Sequence, residues 1–172
     1  MRYLVLVTGG VSSGKSRHAL ARAGAHGSKV LFVATCVPRD DEMRAKVERH
    51  RAERPSSWTT VEASRDVAKA LRPGFDAAVV DCLTLLVSQM MVEGAPEADI
   101  LGEVDRLCGA ATGPLYVVTN EVGAGVVPES ELGRRFREVA GRANQRVAAR
   151  ADEVILMVAG IPVTLRGEPW KA

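Results

Sequence analysis

Gly9-Gly10-Val11-Ser12-Ser13-Gly14-Lys15-Ser16 follows directly on the apolar run Tyr3-Leu4-Val5-Leu6-Val7 and Thr8. The eight residues match the spacing G-x-x-x-x-G-K-[ST], which holds phosphate groups when it lies between a strand and a helix. That context is present: the β-branched run before it predicts a strand, and residues 15–26 carry a helical pattern. Glycines in such a loop let backbone N–H groups converge on phosphate oxygens, and the helix N-terminus adds its positive dipole end. Lys15 is then expected to reach the outer phosphates, and the Ser16 hydroxyl to help hold Mg²⁺. The motif marks a nucleoside triphosphate site without naming the reaction.

Outward from this loop, short apolar runs alternate with helical stretches. Strands are predicted at Tyr3–Val7, Val30–Ala34, Ala77–Asp81, Leu115–Thr119 and Val154–Val158, each nearly all apolar, as in strands buried on both faces of a parallel sheet. A weaker strand is expected at Thr59–Glu62, and Pro162–Leu165 is expected to pair with the strand before it as a hairpin. Helices are expected near 15–26, 40–53, 64–72, 83–93, 97–111 and 129–151. The alternation predicts an α/β fold: a single domain spanning 1–172, with a mostly parallel sheet, right-handed crossovers and helices on both faces.

Composition excludes several classes of protein. The 172 residues carry 23 Lys+Arg against 21 Asp+Glu, so no basic excess points to nucleic acid or a membrane surface. Aromatics are 4%, too few for a base-stacking platform. No stretch reaches the roughly 18 apolar residues of a membrane helix. Cys36, Cys82 and Cys108 are odd in number and far apart, which argues against a disulfide framework or a zinc knuckle and fits a reducing cytoplasm.

Two further places carry chemistry. Asp81 ends the run Ala77–Val80, where a second Mg²⁺-directed carboxylate belongs in phosphate-loop enzymes. The competing role is an N-cap for the helix starting near Leu83, with Thr84 as the other candidate cap. The second place is the helix 40–53. Acids open it and bases close it, and Met43, Val47 and His50 share its inward stripe. Arg49, Arg51 and Arg54 surround His50. A lone inward histidine is commonly a core residue. Yet clustered guanidinium groups disfavour the imidazolium, keeping the ring nucleophilic while they gather phosphate charge. Of the other histidines, His18 is expected to be exposed beside the loop, and His26 solvated near a helix end.

With these residues in view, the chain resembles the bifunctional adenosylcobinamide kinase/adenosylcobinamide-phosphate guanylyltransferase family of cobalamin biosynthesis. Three blocks carry the likeness: Thr8 to His18; Ala34-Thr35, Asp40 to Met43, His50-Arg51, Arg54-Pro55, Trp58 and Glu62; and Thr119 to Pro128 continuing through Phe136-Arg137, Gly141, Asn144-Gln145 and Ala151–Val154. Position 12 departs from the family, holding Ser where relatives often carry Arg. The resemblance implies a RecA-like fold, a homotrimer, small-molecule partners only (adenosylcobinamide, its phosphate, GTP and ATP), and Mg²⁺ as cofactor. It also implies a cycle in which the aminopropanol hydroxyl of adenosylcobinamide is phosphorylated by ATP or GTP. His50 then becomes guanylylated, and GMP passes to adenosylcobinamide phosphate. By the same likeness Ala34, Thr35, Cys36, Arg51, Ala52, Glu53, Arg54, Glu62 and Asp81 are expected to contact nucleotide, with Glu62 accepting from a guanine edge or else standing as a solvated strand-end carboxylate. For Asn120–Pro128, with Glu121 just past a strand, substrate contact or kinase chemistry competes with a plain strand-to-helix connection. Arg134, Arg135, Arg137, Arg142, Arg146 and Arg150 read as a solvated helix face with some subunit contacts. A plain small-molecule kinase with a structural His50, and a nucleotide-dependent switch without group transfer, are the rivals that share the same loop.

Overall fold

Leu4 and Leu6 point into one core and Val5 and Val7 into the other. Alternation across a strand covered on both sides explains why this run is apolar throughout. All four are at most 2% exposed, and each contributes about 1.5–3 kcal/mol of burial. The computed structural model describes residues 2–38, 41–52 and 54–168, excepting the side chains at 42, 43, 46, 49, 50 and 52. Its strands are β1 (Tyr3–Gly9), β2 (Val30–Ala34), β3 (Thr59–Glu62), β4 (Ala77–Asp81), β5 (Pro114–Val118), β6 (Glu153–Val158) and β7 (Ile161–Arg166). The helices are α1 (Lys15–Gly24), α2 (Asp41–Ala52), α3 (Val67–Ala70), α4 (Leu83–Val92), α5 (Glu97–Gly109) and α6 (Glu131–Arg150).

The strands form one seven-stranded sheet in the order β3-β2-β4-β5-β1-β6-β7. Every pairing is parallel except that of β7, which returns antiparallel along β6. The hairpin between them turns on Ala159 and Gly160, both at positive φ (50° and 83°). Two such residues in succession make the turn whose twist matches the flanking strands. α1 and Trp58 cover one face of the sheet, against Val5, Phe32, Val79 and Tyr116. The opposite face carries α3 to α6, with Val67, Leu86, Val104 and Val139 in the core. This is the expected α/β architecture with helices on both faces.

Some details differ from the sequence expectation. The helix predicted at 64–72 shortens to α3, because Asp66 enters at φ 51° and Leu71 leaves the helical region. The Val67 amide, an unsatisfied donor at this helix start, is taken by Glu103 Oε1 at 2.7 Å. His18 is half-buried rather than exposed; burial, and then the charge of Arg22, pull its pKa below the usual histidine value. His26 is exposed as expected, but its Nε2 lies 2.8 Å from the Tyr116 hydroxyl. The basic face of α6 is solvated as expected, and it also makes surface contacts: Arg142 pairs with Glu97, Arg146 and Arg150 pair with Asp105, and Arg134 and Arg137 donate to carbonyls of the 123–129 segment. Among the described residues, no helix is long and apolar enough to cross a membrane.

At the amino edge of the sheet lies an ion pair the sequence did not announce. Arg22 Nη1 of α1 meets Glu153 Oε1 at 2.7 Å, with side chains only 6% and 1% exposed. Tyr3 donates its hydroxyl to the other carboxylate oxygen at 3.1 Å, and the Arg22 guanidinium lies 5.5 Å from the Tyr116 ring centre. Removing one member of such a pair strands the other charge in a dry site, at a cost of about 3–5 kcal/mol. Arg22→Met is therefore expected to lower Tm by roughly 10 °C. Calorimetry checks this, and a Tm within experimental error of the parent would show that the pair does not anchor α1.

Candidate active site

Because six strands run the same way, β1, β2, β3, β4 and β5 all end on one edge of the sheet. The register makes this concrete: Ala34 lies between Glu62 and Asp81, Asp81 pairs with Val118, and Val118 with Val7. Open α/β sheets bind ligands along this edge. The expected site residues Gly9 to Ser16, Ala34 to Cys36, Glu62 and Asp81 thus come together, although the sequence scatters them over some 70 residues.

The glycine loop joins β1 to α1. A side chain at position 9 would place its Cβ 2.6 Å from the Met157 carbonyl oxygen, so only glycine fits there. Gly14 is the N-cap of α1 at φ 91°, and no side chain caps this helix. Its first amides therefore remain directed into the loop. The hairpin turn braces the loop from the side, with the Gly160 amide donating to the Ser13 carbonyl at 3.0 Å. Lys15 is 8% exposed, and its ammonium donates to the Gly10 carbonyl at 2.9 Å. Thr8 Oγ1 and Ser13 Oγ are buried without a hydrogen-bond partner among the described residues. Buried hydroxyls rarely stay unsatisfied, and two of them beside a loop of converging amides are what a phosphate would engage. Thr8 entered the sequence reading only as part of a motif, and its inward aim was not visible there.

The remaining candidates divide by what they touch. Asp81 is half-buried at the end of β4, and the N-cap of α4 falls on Cys82, not on Asp81 or Thr84. Thr35 is 1% exposed; its Oγ1 donates to the Cys82 carbonyl at 2.6 Å and accepts from the Cys82 amide at 2.8 Å. That hydroxyl clips the end of β2 to the end of β4, where the Thr35 amide also donates to the Asp81 carbonyl at 3.1 Å. Arg54 stacks its guanidinium 3.9 Å over the Phe32 ring on β2. Burial is the main cause that lowers its pKa, with the Arg51 charge next and Asp81 opposing. Arg51, Arg54 and Asp81 therefore share one electrostatic neighbourhood where α2 returns to the sheet. Arg51 and Glu62 are exposed. Glu53 and the side chains of His50 and Ala52 lie outside the described residues; the backbone at 50 belongs to α2.

Two features limit which other groups act as nucleophiles. Burial, reinforced by Asp81, pushes the Cys82 thiol up to about 12, and burial pushes Cys108 up to about 11, so both stay protonated at neutral pH. For a divalent cation, the Ser16 hydroxyl and the Asp81 carboxylate are hard oxygen donors of the kind Mg²⁺ takes. Among the described residues there is no cluster of three or more His, Cys, Asp or Glu.

A mostly parallel sheet with a phosphate loop at the carboxyl end of an inner strand, and a carboxylate on a nearby strand end, defines a P-loop nucleotide-binding protein. A KaiC-like protein from the archaeon Pyrococcus horikoshii has the same fold, with a TM-score of 0.50 and 16% identity over 90% of this chain and 71% of that one. Residues 5–165 match the family described as cobinamide kinase / cobinamide phosphate guanyltransferase, and the chain belongs to that family of enzymes. It is 39% identical to the bifunctional adenosylcobalamin biosynthesis protein CobU of Escherichia coli K12, over 95% of this chain and 99% of the relative. It is 40% identical to CobU of Salmonella typhimurium LT2 over the same shares. It is also 39% identical to CobP of Pseudomonas aeruginosa over 95% of this chain and 98% of that protein.

Proposed function

We propose that this chain carries out both halves of nucleotide-loop activation in cobalamin assembly. In the first half the aminopropanol hydroxyl of adenosylcobinamide attacks the γ-phosphorus of ATP or GTP and the nucleoside diphosphate leaves. In the second, an imidazole nitrogen of His50 attacks the α-phosphorus of GTP and pyrophosphate leaves. A phosphate oxygen of adenosylcobinamide phosphate then attacks the same phosphorus, which expels the imidazole and yields adenosylcobinamide-GDP. Splitting the displacement into two in-line transfers is ordinary covalent catalysis.

The observation that carries this reading is family membership across residues 5–165. The single sheet edge shared by the phosphate loop, Asp81 and the returning end of α2 supports it. In this assignment Gly9, Gly10, Val11, Ser12, Ser13 and Gly14 wrap phosphates with main-chain amides, and Lys15 meets the charge on the outer ones. Ser16 and Asp81 would hold Mg²⁺, which would supply neutralisation of phosphate charge. Ala34, Thr35, Cys36, Arg51, Ala52, Glu53, Arg54 and Glu62 contact the guanine nucleotide. Glu121 serves the phosphorylation half, and one domain houses both reactions. The working unit is a homotrimer in the cytoplasm, where buried thiols such as those of Cys82 and Cys108 are at home.

Incubation with α-³²P-GTP and Mg²⁺ tests the covalent half. The expected product is protein-bound label that survives alkali and is released by acid, as a phosphoramidate is. Absence of label on the unaltered protein would refute the guanylyl-histidine.

A further inference from the structure

Behind the phosphate loop, four residues close a hydrogen-bonded ring that begins and ends on Asn120. The Asn120 amide donates to Thr84 Oγ1 at 2.7 Å. Thr84 Oγ1 lies 3.0 Å from Thr119 Oγ1, and Thr119 Oγ1 donates to Asn144 Oδ1 at 2.7 Å. Asn144 Nδ2 returns to the Asn120 carbonyl at 3.3 Å. A hydroxyl has one proton, and that of Thr119 is given to Asn144; the Thr84 hydroxyl must therefore donate to Thr119. The direction of every bond is thus fixed, and each donor in the ring meets an acceptor. Thr84 and Thr119 are 5% and 0% exposed. At that depth a broken link leaves a buried polar group without water to replace it.

The ring joins elements that the chemistry needs in register. Thr84 lies in the first turn of α4, three residues beyond Asp81. Asn120 precedes Glu121, whose amide donates to the Gly9 carbonyl at 3.0 Å, and the Thr119 amide donates to the Val7 carbonyl at 3.0 Å. Asn144 comes from the middle of α6. Strand β5 lies between β1 and β4, so the ring sits between the strand that carries the phosphate loop and the strand that carries Asp81. We propose that Thr84, Thr119 and Asn144 are positioning residues for phosphoryl transfer: their closed ring sets the spacing of Asp81 and Glu121 about the phosphate loop. The proposal rests on the phosphorylation half of the function given above.

The test is steady-state phosphorylation of adenosylcobinamide by ATP, measured per folded molecule. Thr119→Val keeps the shape and removes both of the hydroxyl's bonds. It is expected to lower kcat by about 10- to 100-fold, the scale of a small misplacement of reacting groups, while leaving KM for ATP close to the parent value. Thr119→Ser, which restores the hydroxyl, is expected to recover most of the lost kcat. If Thr119→Val does not fold, Asn144→Ala at a half-buried helix position gives the same readout. A reduced Tm with kcat unchanged in these variants, or a Thr119→Ser protein as slow as Thr119→Val, would overturn the positioning role. An unaltered protein that does not phosphorylate adenosylcobinamide would instead overturn the functional reading beneath it.

Discussion

His50→Ala protein incubated with α-³²P-GTP and Mg²⁺ is expected to take up no acid-labile label, while it still phosphorylates adenosylcobinamide. Removing the nucleophile of a covalent mechanism commonly costs several orders of magnitude, about 10⁴-fold or more, so the label should fall to background. The phosphorylation half is expected to persist because its groups lie on other elements: the loop after β1, Asp81 at the end of β4 and Glu121 past β5. Among the described residues, the buried thiols are poor substitutes for the imidazole. The Cys82 and Cys108 thiols are held protonated by burial, near 12 and 11. His18 lies half-buried on α1, where it feels Arg22 and Glu153. Scintillation counting of denatured protein before and after acid treatment settles the result. Full labelling of the variant would move the nucleophile elsewhere.

The second large effect is expected at Lys15. Lys15→Met keeps the aliphatic stem and deletes the charge. Electrostatic groups aimed at developing phosphate charge are worth about 10²–10³-fold each, so kcat for phosphorylation is expected to fall by at least that much. Labelling by GTP should fall with it under the proposed cycle, in which Gly9 to Ser16 hold the triphosphate. Stability should hardly change. The ammonium, 8% exposed, donates to the Gly10 carbonyl at 2.9 Å, and replacing a nearly buried cation with a thioether relieves desolvation while it removes hydrogen bonding. A variant with parental kcat would show that Lys15 does not meet the transferred phosphate, and a Tm scan excludes unfolding as the cause of a loss.

The sequence expectations held best where local rules decide. β1 and the glycine loop were legible because strand, glycines and helix start are contiguous. β7 was legible as a hairpin because two residues, Ala159 and Gly160, suffice to reverse the chain. The segment 64–72 looked helical throughout, but Asp66 and the Glu103 carboxylate from α5 fixed a shorter helix, and a partner 36 residues away is invisible to a local pattern. Thr35 was expected at the nucleotide; the sequence could not show that its hydroxyl clasps the Cys82 peptide, 47 residues along the chain. The arginines of α6 form the solvated face that was expected, but their pairing with Glu97 and Asp105 was not legible because those partners belong to another helix.

By itself the sequence determined that an anion-binding loop joins the first strand to the first helix, and that buried parallel strands alternate with helices. Both follow from short-range stereochemistry: glycine freedom, apolar runs and helix periodicity are written in adjacent residues. Only the tertiary structure decided the order of the strands. Their apolar runs are nearly interchangeable as local signals, and which of them pair is set by packing between distant segments. That order inserts β5 between β1 and β4. It thereby sets the chain that leaves β5 between the phosphate loop and Asp81, and allows Thr84, Thr119 and Asn144 to close their ring around Asn120.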